Sequence, residues 1–197
     1  MAERKQFRCG VIGYGGAFNM GRAHLSSMQK NPAMVAAAVC ELDGARRKVA
    51  EEDFPGIATY SSVGQMLRHA DLDLVSIITP HNTHAKLAIQ CLDAKVGVVV
   101  EKPMAISSAE VKGMMSTAKR RKVMLSTFHN RRWDGDFMLL RELIQQEKII
   151  GNVFRVEAGF GGYGQARDWW RADKKISGGA IYDWGAHFTD WILNLVT

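Results

Sequence analysis

The stretch Val96-Gly-Val-Val-Val-Glu-Lys-Pro103 sets a short, mostly β-branched apolar run directly before a charged pair and a proline. Such a run reads as a buried strand. Its lysine then stands at the carboxyl end of the strand, which is where ligands bind in an open α/β sheet. A second strand end is legible near the start of the chain. Phe7-Arg-Cys-Gly-Val-Ile12 runs into Gly13-Tyr14-Gly15-Gly16 and, after an interval, Gly21. A glycine-rich first turn and a strand-end lysine together predict a dinucleotide above the sheet with a proton-handling amine beside it.

Outward from these two points, strand and helix patterns alternate. Val35–Val39, Leu74–Ile78 and Val123–Thr127 are further strand candidates. Between them lie helical stripes, one of Leu87, Ala88, Cys91 and Leu92 and another of Val111, Met114, Met115 and Ala118. Capping boxes, Ser62 with Gln65 and Ser107 with Glu110, mark two helix starts. Strand, helix, strand repeated in this way implies right-handed crossovers and a parallel, doubly wound α/β sheet through about Thr127. Beyond it the texture changes. A helix is expected from about Asp134 to Gln146, then one half-buried strand in the alternation from Val153 to Ala158, a glycine- and tryptophan-rich loop from Gly159 to Gly179, and a closing helix. One strand is not a stable sheet. The expectation is therefore the start of an α+β domain, cut within the apolar pattern Trp191-Ile-Leu-Asn-Leu-Val196.

Composition is compatible with this. The chain has 197 residues, 47% hydrophobic and 23% charged, enough for one good core and part of a second. It has no apolar run of membrane-spanning length and no signal-like amino terminus, so a cytoplasmic protein without a membrane partner is expected. Cys9, Cys40 and Cys91 sit in apolar patterns and read as buried, reduced thiols, and no Cys/His spacing points to a metal. The net charge of +6 gathers at Arg46-Arg47-Lys48 and Lys119-Arg120-Arg121-Lys122, on solvent faces or ends of predicted helices and without interleaved aromatics, which argues against nucleic acid.

The candidate site residues follow from these elements. Gly13 and Gly15 fit a G-x-G-x-x-G turn, but the third place is Phe18 and the next glycine is Gly21. Glu41, 20 residues after Gly21 at the end of the second strand, can bond the ribose hydroxyls of NAD and would repel the 2′-phosphate of NADP, while Arg46 and Arg47 keep NADP open. Thr79-Pro-His-Asn-Thr-His84 follows another strand end and reads as a cofactor-edge loop in which Asn82 or Thr83 caps the next helix. Asp183 and His187 are four residues apart on the closing helix and share a face, which Asp190 and Asn194 continue. With Gly178-Gly179 at the helix start, this stripe reads as a ligand-facing surface, or else as an exposed stripe with an ion pair.

These residues resemble the glucose-fructose oxidoreductase, inositol dehydrogenase and rhizopine catabolism protein family (Gfo/Idh/MocA). Glu101-Lys102-Pro103 is similar to its E-K-P, Thr79-Pro80 with His84 to its T-P-x-x-x-H, and Gly178-Gly179 through Asp183 to His187 to its G-G-x-x-x-D-x-x-x-H. The resemblance implies a Rossmann NAD(P)-binding domain at residues 1–127 and, at 128–197, the incomplete start of a C-terminal substrate and oligomerisation domain. It implies an NAD(P)-dependent oxidoreductase of a sugar, cyclitol or related polyol, forming a homo-oligomer through the C-terminal domain when full length. Lys102 would sit by the reacting hydroxyl, His187 would exchange its proton and Asp183 would orient substrate or histidine. Gly13, Gly15, Gly16, Ala17, Phe18, Glu41, Thr79, Pro80, His81, His84, Glu101 and Lys102 are expected to line the cofactor, and a cis bond is expected before Pro103. Two other classes stay open: a glycoside hydrolase using NAD transiently, and a noncatalytic nucleotide-binding or regulatory protein.

Overall fold

The computed structural model describes residues 6–159, 161 and 169–196. The chain divides into two compact units, Met1–Thr127 and Phe128–Thr197. In the first, a sheet is built from β1 (Phe7–Ile12), β2 (Met34–Cys40), β3 (Ala58–Tyr60), β4 (Leu74–Ile77), β5 (Gly97–Glu101) and β6 (Leu125–Phe128), in the order β3-β2-β1-β4-β5-β6. β1 runs parallel to both its neighbours, with Val11 opposite Val39 of β2 and Ser76 of β4. The order reverses between β1 and β4, and that switch point is where a doubly wound sheet opens a crevice.

Side-chain alternation divides the core into two layers. Cys9, Val11 and Val39 face α1 (Met20–Lys30) and α2 (Gly44–Asp53), burying Leu25, Met28 and Ala50. Ile12, Ala38, Cys40, Val75, Ile77, Val98 and Val100 face the other way, against α3 (Val63–His69), α4 (His84–Asp93) and α5 (Ser108–Arg121). Helices on both faces explain why the strands read as continuous apolar runs. β3 escapes a sequence reading because it is three residues long and only half-buried.

The helix starts are set locally. Ser62 and Ser107 accept from the amides of Gln65 and Glu110, and Glu110 Oε2 reaches back to Ile106 N at 3.2 Å. Each such cap contributes about 1 kcal/mol. The α5 stripe is narrower than the sequence reading: Met114 is fully buried and Ala118 nearly so, but Met115, one residue further round the helix, is 59% exposed.

In the second unit, α6 (Gly135–Arg141) widens into a π-helical turn at Glu142–Gln146. Residues 153–158, expected as a strand, form none, because no strand among the described residues of this unit offers them a ladder. The described part of the glycine-tryptophan segment contains α7 (Lys174–Ser177), and α8 (Ala180–Leu195) closes the chain. The rest of that segment, residues 160 and 162–168, lies outside the described residues. Gly178 and Gly179 join the two helices at φ 84° and 107°, a region that disfavours any side chain, and a Cβ on Gly178 would also strike the Tyr182 ring at 2.8 Å. Among the described residues, no helix is long and apolar enough to cross a membrane.

Candidate functional site

The turn after β1 assigns each glycine a different task. Gly13 has φ +100°, and a Cβ there would stand 2.6 Å from Ile78 O, so the ends of β1 and β4 meet at a point only glycine allows. A Cβ on Gly15 would meet nothing within 4 Å. Gly16 lies beside the movable end of Arg46, while Ala17 and Phe18 are exposed in the turn. Gly21, already inside α1, would meet Gly13 O at 2.9 Å and the Tyr14 ring at 2.8 Å. The close helix–strand packing usual for the third glycine of the motif is thus moved from position 18 to Gly21. Asn19, the residue before α1, gives it no side-chain cap, so the first amides of the helix and its positive dipole end are left for a ligand.

Glu41, one residue past β2, braces this turn. Tyr14 N donates to its Oε2 at 2.7 Å and Asp43 N to its Oε1 at 3.1 Å. The two arginines behind it differ. Arg47 Nη1 donates to the carbonyls of Glu41 and Leu42, whereas Arg46 pairs loosely with Asp43 at 3.7 Å beside Gly16. Tyr14 is buried beneath the turn, its hydroxyl donating to Asp53 at 2.7 Å, and burial first, then Asp53, pushes its pKa up.

Across the switch point, the strand-end lysine is held by its neighbours. The Lys102-Pro103 bond is cis. Glu101 Oε1 accepts from His24 Nε2 of α1 at 2.9 Å, and its Oε2 accepts from Lys102 N at 3.2 Å. His84 is fully buried, with Nδ1 2.9 Å from Pro103 O and Nε2 2.9 Å from Thr79 O. A neutral imidazole donates to one carbonyl at a time. Burial lowers the His84 pKa, against the opposing pull of these carbonyls and of Glu101. The His84 ring therefore ties two strand ends together rather than reaching outward. Thr83 does precede α4, but it caps nothing with its side chain: its hydroxyl donates to Pro80 O at 2.6 Å and accepts from that of Thr79 at 2.6 Å. His81 is buried and tilted against His84 at 5.7 Å. His24 had no signal in the sequence beyond its place on the buried face of α1.

The second unit carries Asp183 and His187 on α8. His187 is 4% exposed and packs against Trp184 at 5.6 Å, and Asp183 lies 3.7 Å from Arg171. The lower half of the expected ligand-facing stripe is otherwise engaged. Asp190 accepts two bonds from Arg132, at 2.7 and 2.5 Å, and its carbonyl accepts from Asn194. No cluster of metal-ligating residues occurs among the described residues.

Open space at Gly15, an uncapped helix start and a carboxylate at the end of β2 fit a dinucleotide. Residues 7–129 match the family model described as oxidoreductase family, NAD-binding Rossmann fold, and residues 137–197 match the GFO/IDH/MocA C-terminal domain. The chain belongs to the Gfo/Idh/MocA family. Its first unit is that family's NAD-binding domain. It is 33% identical over 189 residues to the uncharacterized oxidoreductase YdgJ of Escherichia coli, covering 95% of this chain and 53% of that protein. It is 27% identical to scyllo-inositol 2-dehydrogenase (NADP(+)) IolW of Bacillus subtilis, covering 95% and 51%. An NAD-binding protein from Listeria innocua superposes with a TM-score of 0.84 at 33% identity, over 98% of this chain and 55% of that one. The chain thus spans about half the length of these Gfo/Idh/MocA relatives.

Proposed function

We propose that this chain carries the cofactor site and the proton-handling residues of an NAD(P)-dependent oxidoreductase acting on a sugar, cyclitol or related polyol. The observation that carries the reading is the anchored Glu101-Lys102-Pro103 turn at the switch point of an NAD-binding domain. The name of IolW supports the substrate class. Gly13, Gly15 and Gly16 and the start of α1 would take the pyrophosphate and Glu41 the adenosine ribose. Bound nicotinamide supplies the acceptor for the hydride leaving the carbinol carbon. Lys102, at the end of β5, receives the hydroxyl proton, since a lysine amine placed beside a reacting group can serve as general base. His187 exchanges that proton and Asp183 orients the substrate or the imidazole. Residues 128–197 are the opening part of the substrate-binding domain.

NAD is the preferred cofactor in this reading, because a 2′-phosphate would meet the Glu41 carboxylate and Arg47 is already engaged with main-chain carbonyls. Titration of the full-length protein with both cofactors tests this, and tighter binding of NADP overturns it. For the chemistry, scyllo- and myo-inositol serve as probes. Lys102→Met and His187→Ala should leave cofactor affinity within a few-fold while slowing turnover by about 10² to 10⁴ fold. Near-normal turnover by Lys102→Met would remove the lysine from the mechanism.

A further inference from the structure

The Glu101 carboxylate is nearly enclosed, with 13% of its side chain exposed, and the His24 ring that meets it has 6%. A carboxylate so far from water needs donors on both oxygens. It has them: His24 Nε2 donates to Oε1 at 2.9 Å, and the backbone N–H of Lys102 itself donates to Oε2 at 3.2 Å. His24 thereby fixes the carboxylate that fixes the backbone of the lysine. On the other side of Lys102, Pro103 O faces His84 Nδ1 at 2.9 Å. α1 and α4 belong to the layers on opposite faces of the sheet, so the residues flanking Lys102 are held from both faces by buried imidazoles. Only the His24 arm begins in the helix that follows the glycine turn.

We propose that His24 is a positioning residue for Lys102: it locks the Glu101 carboxylate against the Lys102 backbone and so couples the orientation of the lysine turn to the helix at the cofactor's phosphate site. The proposal rests on the reading of Lys102 as the proton-handling group, but its geometry can be tested without turnover. A hydrogen bond to a charged group that is lost from a buried site is worth more than a neutral one. An unheld Glu101 leaves the Lys102 amide without a fixed acceptor, whereas Val98, in the ladder to Met124 O, keeps its own.

The experiment is amide hydrogen exchange on the full-length protein, read as the ratio of protection at Lys102 to that at Val98, for wild type, His24→Leu, His24→Gln and Leu92→Ala. Normalising to a β5 ladder amide cancels global stability. Leu92 is a fully buried core residue of α4 that takes no part in the His24–Glu101–Lys102 hydrogen bonds, so its truncation reports what simple destabilisation does. His24→Leu should lower the ratio by about tenfold. His24→Gln, which retains a donor, should restore most of it, and Leu92→Ala should leave it unchanged. An unchanged ratio in His24→Leu, or an equal fall in Leu92→Ala, overturns the proposal. If His24→Leu lowers the ratio while Lys102→Met still turns over substrate, the positioning stands and the assigned role of the lysine falls. The reverse pair of results keeps the lysine and removes His24.

Discussion

Gly15 and Gly21 lie six positions apart around one turn, and their surroundings predict opposite phenotypes for the same added methyl group. In Gly21→Ala the Cβ would stand 2.9 Å from Gly13 O, 3.2 Å from Tyr14 Cα and 2.8 Å from Tyr14 Cδ2. Two of these atoms are backbone. The third belongs to a ring that is 6% exposed and tethered to Asp53 through its hydroxyl at 2.7 Å, so it has little room to yield. That places the overpacking cost near the upper end of its range, about 3 kcal/mol, from which alanine's better helix propensity returns at most about 1 kcal/mol. The net loss of about 2 kcal/mol corresponds to a fall in Tm of about 4–8 °C for a protein of this size. Gly15→Ala meets no atom within 4 Å and needs no positive φ, so its stability should stay within about 0.5 kcal/mol of wild type. If that open space receives the pyrophosphate, NADH affinity in Gly15→Ala should drop by about tenfold or more, the scale of one disrupted charge-assisted contact. Thermal melts and NADH fluorescence titrations on the same samples separate the two effects. A wild-type Tm for Gly21→Ala would refute the close helix–strand approach, and unchanged NADH affinity in Gly15→Ala would refute the phosphate site.

The three cysteines should be silent in the native protein. Burial raises the Cys9 thiol and pushes Cys40 up to about 11 and Cys91 up to about 12, so a disulfide reagent near about pH 8 should find no thiol until denaturant exposes all three. Rapid reaction of any one in folded protein would contradict the packing of β1, β2 or α4. His84 should make folding acid-sensitive. Its folded pKa lies below the unfolded value of about 6.5, so the unfolded chain binds the proton more readily; the stability this represents is complete above that value and is lost as pH falls through the folded pKa. Urea midpoints of wild type should therefore fall more steeply between about pH 7 and 5 than those of His84→Gln, and equal slopes would show that the ring does not titrate against the fold.

What could be read from the sequence, and what could not, divides by whether the partner of a residue is implied by its neighbours. β1, β4 and β5 announce themselves because both faces are buried and the run alone states it, and Lys102 is found because the end of such a run is a place as well as a residue. The 153–158 alternation is different. It says which face is apolar but not which strand will pair with it, and the described residues of the second unit supply no such strand. Polar residues show the same division. Asp190 looks like the continuation of a ligand stripe on α8 until Arg132, 58 positions earlier, is found bonded to both its oxygens. His24 looks like one more inward-facing helix position until Glu101, 77 positions later, is found against it. Periodicity can bring a histidine or an aspartate to the interior, but the chemistry there depends on which buried charge it meets. In this chain that meeting is decided by sheet order: β1 lies one strand from β5, across β4, and the helix after β1 thereby reaches the end of β5. The glycine turn and the lysine turn, distant in sequence, are linked through His24 and Glu101 because the fold places those two strand ends at the same edge.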